Sequence, residues 1–151
     1  MNASDADLPW AVRAFVYRHF AETAQPPTVE EAAGHFRCSR EAAAQFYEEL
    51  HRRHALFLEP RSTAIRMANP FSAIPTAFRV LAQGRAYWAN CAWDALGIPA
   101  ALHCDASIET ADPTSGLPLK VRVRDGVVLG HGQVVHFLLS FRQWYDDLVF
   151  T

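Results

Sequence analysis

The chain has 151 residues, of which 50% are hydrophobic, with 14 basic and 16 acidic side chains and a formal net charge of -2. This composition excludes a disordered chain and a strongly basic nucleic-acid-binding protein. No apolar run reaches the roughly 20 residues of a membrane helix, and the polar N-terminus is unlike a signal peptide, so a cytoplasmic protein is expected. In that compartment the three cysteines, an odd number, predict free thiols rather than disulfides.

The first half of the chain is predicted to be helical. Apolar residues recur at helical spacing over 8–20, before a Pro-Pro pair that ends this first helix. Thr28 followed by Glu31 is the capping-box pattern that predicts the start of a second helix, which runs to Phe36. Ser39 is the expected N-cap of a third helix, which ends near residue 53.

Two short strands, over 55–59 and 63–67, are predicted to follow the three helices. This order predicts a winged helix-turn-helix module over residues 1–70. The third helix of such modules reads DNA in the major groove. Here that helix mixes arginines and histidines with glutamates, so a structural role is favoured over nucleic-acid binding.

Residues 71–151 are predicted to form a separate domain, a small mixed β-sheet with one short helix. The predicted elements are a strand over 78–81, a helix over 89–96 that stops at Gly97-Ile98-Pro99, and strands over 101–110, 119–124 and 134–139. The predicted fold class is therefore α+β, with the winged-helix-like helical module packed on the sheet domain that carries the short helix.

Cys91 and Asp94 are the strongest candidates for chemistry, because a spacing of three places them on one face of the short helix. A thiolate and a carboxylate disfavour each other, so one of the two groups is expected to hold a proton near neutral pH. Trp88, Trp93 and Pro99 would supply apolar surroundings. The competing interpretation is that Cys91 is a small buried hydrophobic residue and Asp94 a solvated helix residue.

The segment Cys91-Ala-Xaa-Asp94-Ala-Leu-Xaa-Xaa-Pro99 resembles the catalytic segment of the alkylmercury (organomercurial) lyases. The segments 114–118 and 135–137 are also similar to that family, and so is the winged-helix-like first half. The resemblance implies mercury resistance by protonolytic cleavage of carbon–mercury bonds, which yields a hydrocarbon and Hg(II). It implies that Cys91 is the nucleophile, that Asp94 donates the proton, and that Cys91 and Asp94 are the residues that contact mercury as substrate and product.

The resemblance also implies that no organic cofactor takes part and that external thiols assist product release. Mercuric reductase would be a partner that receives the product, and the ligand would be an organomercurial or another thiol-reactive compound. The oligomeric state and the natural substrate stay open.

The chain departs from the family where a second cysteine would share the mercury. That position falls at Gly132, and a further family cysteine falls at Asp112. Cys104 and His131 are the weak candidates for replacing the missing ligand. The alternative for Cys104 is a core position, because strand alternation places it on an apolar face.

His136 is expected in a buried strand, where it either lines the pocket or serves as a hydrogen-bonded core residue. Cys38, in the predicted turn before the third helix, is expected to be structural.

The chain ends in the segment 148–151, which is predicted to be a strand. We hypothesise from the family resemblance that the chain is truncated and that a second thiol, or a selenocysteine, lay just beyond Thr151. Two alternatives to a lyase remain: a non-catalytic relative that binds a soft metal or thiol-reactive ligand through Cys91, and a winged-helix DNA-binding regulator.

Overall fold

A computed structural model describes residues 8–130 together with 132, 134, 135, 137 and 143. The chain divides into two compact units between Ile74 and Pro75. The first unit contains, in chain order, α1 (Leu8–Thr23), α2 (Val29–Phe36), α3 (Arg40–Arg52), β1 (Phe57–Leu58), β2 (Ile65–Ala68) and β3 (Phe71–Ser72). No helix in the described part of the chain is long and apolar enough to cross a membrane.

Local hydrogen bonds fix where α2 and α3 begin. The Glu31 backbone N–H donates to Thr28 Oγ1 at 3.1 Å, and the Thr28 N–H donates to Glu31 Oε2 at 2.7 Å. The predicted capping box is therefore confirmed. At the next helix, Ser39 Oγ accepts a hydrogen bond from the Ala42 N–H at 3.1 Å, which confirms the predicted N-cap.

The core of the first unit is built from the apolar faces of α1 and α3. Val12, Val16 and Phe20 of α1 are fully buried, as is Tyr47 of α3. The Phe20 ring stacks on Phe71 of β3 with centroids 5.2 Å apart. β3 pairs with β2 but was not predicted, because a strand of two residues is too short to show alternation. The helices and hairpin follow the predicted order, while the winged-helix assignment stays a prediction.

The second unit is an antiparallel sheet with one helix. Its elements are β4 (Phe78–Ala82), β5 (Arg85–Ala89), α4 (Ala92–Leu102), β6 (Ala106–Ala111), β7 (Pro118–Arg124) and β8 (Val127–Leu129). The strands lie in the order β5-β4-β6-β7-β8, and all their described pairings are antiparallel. α4 contacts β4, β5 and β6. The α+β class is confirmed, with an antiparallel sheet where a mixed one was predicted.

The helix was predicted at 89–96, and the structure places it later. Residues 85–89 instead form β5, which pairs with β4 in the register Val80 to Tyr87. The helix continues through Gly97 and Pro99. Proline removes one backbone donor but has a φ compatible with the helix, and the burial of Ile98 and Pro99 compensates for the lost hydrogen bond.

This longer helix shortens the following strand. The predicted strand over 101–110 begins only at Ala106, so Cys104 lies in the turn before it rather than on a strand face. The predicted strands over 134–139 and 148–151 fall mostly outside the described residues. Of the first one, Val134, Val135 and Phe137 are described, and these three are not in a strand.

Replacing Thr28 by alanine tests the capping box. Thr28→Ala removes the side-chain acceptor at the start of α2, so we expect the free energy of unfolding to fall by about 1 kcal/mol. Urea denaturation measures this loss. Thr28→Ser, which keeps the hydroxyl, is the control and should lie close to the wild type; equal stability of all three proteins would contradict a stabilising cap.

Candidate functional site

Cys91 lies at the junction of β5 and α4, where it is the N-cap of the helix. Its backbone is extended, with φ -149° and ψ 178°, and its Sγ accepts a hydrogen bond from the Asp94 backbone N–H at 3.5 Å. Serine, threonine, aspartate and asparagine are the preferred N-caps, and sulfur is a weak acceptor. Capping alone therefore does not explain a cysteine here. The helix N-terminus also favours a thiolate over a thiol.

Asp94 is buried in the first turn of α4. Its residue surface is only 7% exposed, and it is the only charged residue that is buried among those described. Burying a carboxylate is costly unless the group is hydrogen-bonded or takes up a proton. Its Oδ2 accepts a hydrogen bond from Asn90 Nδ2 at 3.1 Å. The interpretation of Asp94 as a solvated helix residue is therefore wrong.

The Cys91 thiol and the Asp94 carboxyl form an interacting acid pair. Burial raises the pKa of the Cys91 thiol, and the Asp94 charge raises it further, while the Asp94 backbone N–H opposes both. Burial also raises the pKa of Asp94, against hydrogen bonds from Asn90 and Cys91 that lower it. Both groups therefore resist ionisation, and the pair retains a proton more readily than isolated side chains do.

The predicted pocket residues differ in their exposure. Trp88 is half-buried in β5, and Pro99 is buried. Trp93, in the first turn of α4, is 64% exposed, so it does not enclose the site within the described chain. His136 lies outside the described residues. Among the described residues, α4 packs on β4, β5 and β6, and Asn90 contacts the Asp94 carboxyl.

Cys104 is far from Cys91. The two cysteines flank the 11 residues of α4, a helix about 16 Å long. Cys104 is half-buried rather than in the core, and with His103, Asp105 and Asp125 it lines a cavity of about 410 Å³ at the far end of the helix. The predicted core position was wrong because the apparent alternation of 101–110 spans the end of a helix.

The remaining candidates do not complete a metal site. His131 lies outside the described residues, and Cys38 is half-buried between α2 and α3. Gly132 is exposed. Asp112 accepts hydrogen bonds from the Thr114 and Ser115 backbone in an exposed turn. Within the described part of the chain, no three histidine, cysteine or acidic residues are grouped to hold a metal ion.

Asn90 is the site residue that the sequence analysis missed. It follows β5 directly, and its side chain reaches the carboxyl of Asp94. The only sequence signal was its position next to Cys91, and an isolated asparagine before a helix more often indicates a cap.

Comparisons with known proteins agree on one relationship. Residues 71–150 match the family model "MerB: Alkylmercury lyase". The fold is similar to the crystal structure of the mercury-bound form of MerB2, with a TM-score of 0.63 and 22% sequence identity. That match covers 82% of this chain, which spans 63% of the length of the other. No curated protein sequence matches the chain.

Removing the Asp94 charge should lower the pKa of Cys91. The neighbouring carboxylate disfavours the thiolate, so in Asp94→Asn we expect the thiol to ionise at lower pH than in the wild type. The pH dependence of iodoacetamide alkylation measures this in a Cys38→Ser, Cys104→Ser background, where Cys91 is the only thiol. An unchanged or higher pKa of Cys91 would show that the carboxylate does not act on the sulfur.

The same substitution should stabilise the protein in a pH-dependent manner. Burial raises the pKa of Asp94 above its unfolded value of about 3.9, so the wild type loses stability as the pH rises from that value through the folded pKa. Asparagine does not ionise, so the Asp94→Asn protein does not lose stability in this way. We expect the stability gain of Asp94→Asn, measured by urea denaturation, to grow from about pH 4 to pH 7. Asp125→Asn, at an exposed turn, is the control; a gain independent of pH would contradict the burial cost.

Proposed function

The chain belongs to the alkylmercury lyase family, and from this premise we propose that it cleaves carbon–mercury bonds by protonolysis. The observation that carries the proposal is the buried Asp94 carboxyl in the first turn of α4, next to the Cys91 sulfur that accepts a hydrogen bond from the Asp94 backbone N–H. A soft nucleophile and a proton carrier in contact are the two groups that this reaction needs. The substrate class is an organomercurial, R–Hg–X, in which X is a thiolate or halide.

Capture of the substrate would be the first step. Hg(II) prefers thiolate over oxygen and nitrogen ligands. As the bond between Cys91 Sγ and mercury forms, the bond between mercury and X breaks and X leaves with its electron pair. The thiol proton passes to the Asp94 carboxylate. Asp94 is suited to accept it because burial raises its pKa.

Proton transfer to carbon would complete the cleavage. The carbon–mercury bond supplies the electron pair for the new C–H bond, and Asp94 supplies the proton as general acid. Hg(II) stays on Cys91, with the Asp94 carboxylate as counter-ion. Two small thiols then remove Hg(II) as a dithiolate, one of their protons restoring the Cys91 thiol and the other entering solvent. Mercury is the substrate and product, and the scheme needs no cofactor.

A binding protein without turnover is the second candidate. The observation that favours it is the distance of Cys104 from Cys91, which leaves Cys91 without a second thiol from the described residues of its own unit. Such a protein would capture a soft metal or a thiol-reactive compound and hold it.

A DNA-binding regulator is not favoured. The arginines of α3 and of its C-cap are paired with glutamates of the same unit: Arg40 with Glu30, and Arg52 and Arg53 with Glu49. These pairs reduce the positive charge that phosphate contacts require.

Hydrocarbon release from phenylmercury or methylmercury in excess small thiol tests the proposal, with gas chromatography as the measurement. We expect release by the wild type, none by Cys91→Ser, and a fall of roughly 10²- to 10⁴-fold in Asp94→Asn, the range that general acids contribute. Cys104→Ser is the matched control and should keep the wild-type rate.

Binding of the organomercurial without cleavage would contradict the proposal. Tight stoichiometric binding of phenylmercury by the wild type, with no benzene formed at any thiol concentration, would overturn lyase activity and establish the binding role.

A further inference from the structure

Asn90, the residue between the end of β5 and Cys91, binds the buried carboxyl of Asp94. Its Nδ2 donates a hydrogen bond to Asp94 Oδ2 at 3.1 Å, while the Asp94 backbone N–H donates to Cys91 Sγ. Asn90 is itself half-buried. The Asp94 side chain is therefore bound by the residue before Cys91, and the Asp94 backbone by Cys91 itself.

From this contact we propose that Asn90 is a positioning residue for the proton transfer: its amide engages Oδ2 of Asp94 and leaves Oδ1 to carry the proton. This inference rests on the proposed lyase function and deepens it. It assigns a role to a residue that neither captures mercury nor carries the proton.

The orientation of an aspartate carboxyl needs such an anchor. The last torsion of Asp is broad, so the rotamer of the side chain does not decide which oxygen faces the reacting atoms. An N–H donor bound to one oxygen removes that freedom. Proton transfer to a mercury-bound carbon depends on this geometry, because small displacements of a reacting group cost about 10²-fold in rate.

Hydrogen bonds of the neighbouring residue, Ala89, restrain the backbone from which the Asn90 side chain extends. Ala89, the last residue of β5, pairs with Phe78 of β4. Its carbonyl accepts a hydrogen bond from Thr76 Oγ1, whose hydroxyl also accepts one from the Phe78 N–H at 3.1 Å. The backbone of Asn90 therefore directly follows a residue that is hydrogen-bonded into the sheet, whereas Asp94 lies in the first turn of α4.

A merely structural Asn90 would affect both steps of the reaction. A positioning residue affects the second step, because either oxygen of Asp94 can accept the thiol proton during capture, whereas protonolysis needs the proton on the oxygen that faces the carbon. The test therefore measures the two steps separately in Asn90→Leu, which keeps the size of the side chain and removes the donor. Capture is the rate at which the Cys91 thiol disappears on mixing with phenylmercury, in the Cys38→Ser, Cys104→Ser background. Protonolysis is the single-turnover rate of benzene formation after capture.

Gln83→Met is the matched control. The Gln83 side-chain amide donates to the Leu102 carbonyl at 3.3 Å, so this variant removes an amide hydrogen bond from the other end of the same helix. We expect Gln83→Met to match the wild type in both steps. In Asn90→Leu we expect unchanged capture and benzene formation slowed about 10- to 100-fold. Urea denaturation of both variants reports any general loss of stability.

Each other outcome overturns the inference. Benzene formation by Asn90→Leu at the wild-type rate would refute the positioning role while leaving the lyase proposal intact. Equal losses in capture and protonolysis would show that Asn90 only supports the fold of the junction. No benzene from the wild type would remove the proposed function, and this inference with it.

Discussion

A single buried carboxyl at the start of a helix is the constraint around which the second unit is arranged. Asp94 is nearly inaccessible, and a carboxylate in such a place is unstable without donors or a proton. The junction supplies what it needs from its immediate neighbours: the amide of Asn90 and the thiol of Cys91. Asn90 and Cys91 lie next to the Asp94 side chain because β5 ends at Ala89, directly before these two residues. Burial of this carboxyl costs stability, and such a cost is tolerated more often at functional sites than elsewhere in a protein.

The parts of the fold that local rules govern were predictable. The caps at Thr28 and Ser39 depend on side chains that bond within one helical turn, so the sequence pattern and the structure agree. β5 and α4 were not assigned correctly, because apolar runs such as Tyr87-Trp88-Ala89 are compatible with either a strand or a helix. Pairing with β4, a tertiary effect, decides the outcome.

The candidate site was predictable to a similar degree. Cys91 and Asp94 emerged from their spacing and from the family resemblance, and the structure places them in contact. The burial of Asp94 depends on how α4 packs on the sheet, which spacing does not contain. Asn90 was not predicted as a site residue for the same reason: spacing does not show its contact with Asp94. Cys104 was misplaced because an alternating pattern crossed from the end of a helix into a turn and a strand.

The position of α4 between Cys91 and Cys104 also has a consequence for oxidation. A disulfide requires Cα atoms within about 7 Å of each other, and the length of the helix, about 16 Å, keeps these two cysteines well beyond that limit. Oxidation therefore has no route to a disulfide between Cys91 and Cys104 within one folded chain. Its first oxidation product would instead be a sulfenic acid or a mixed disulfide with a small thiol, both of which a reductant can reverse.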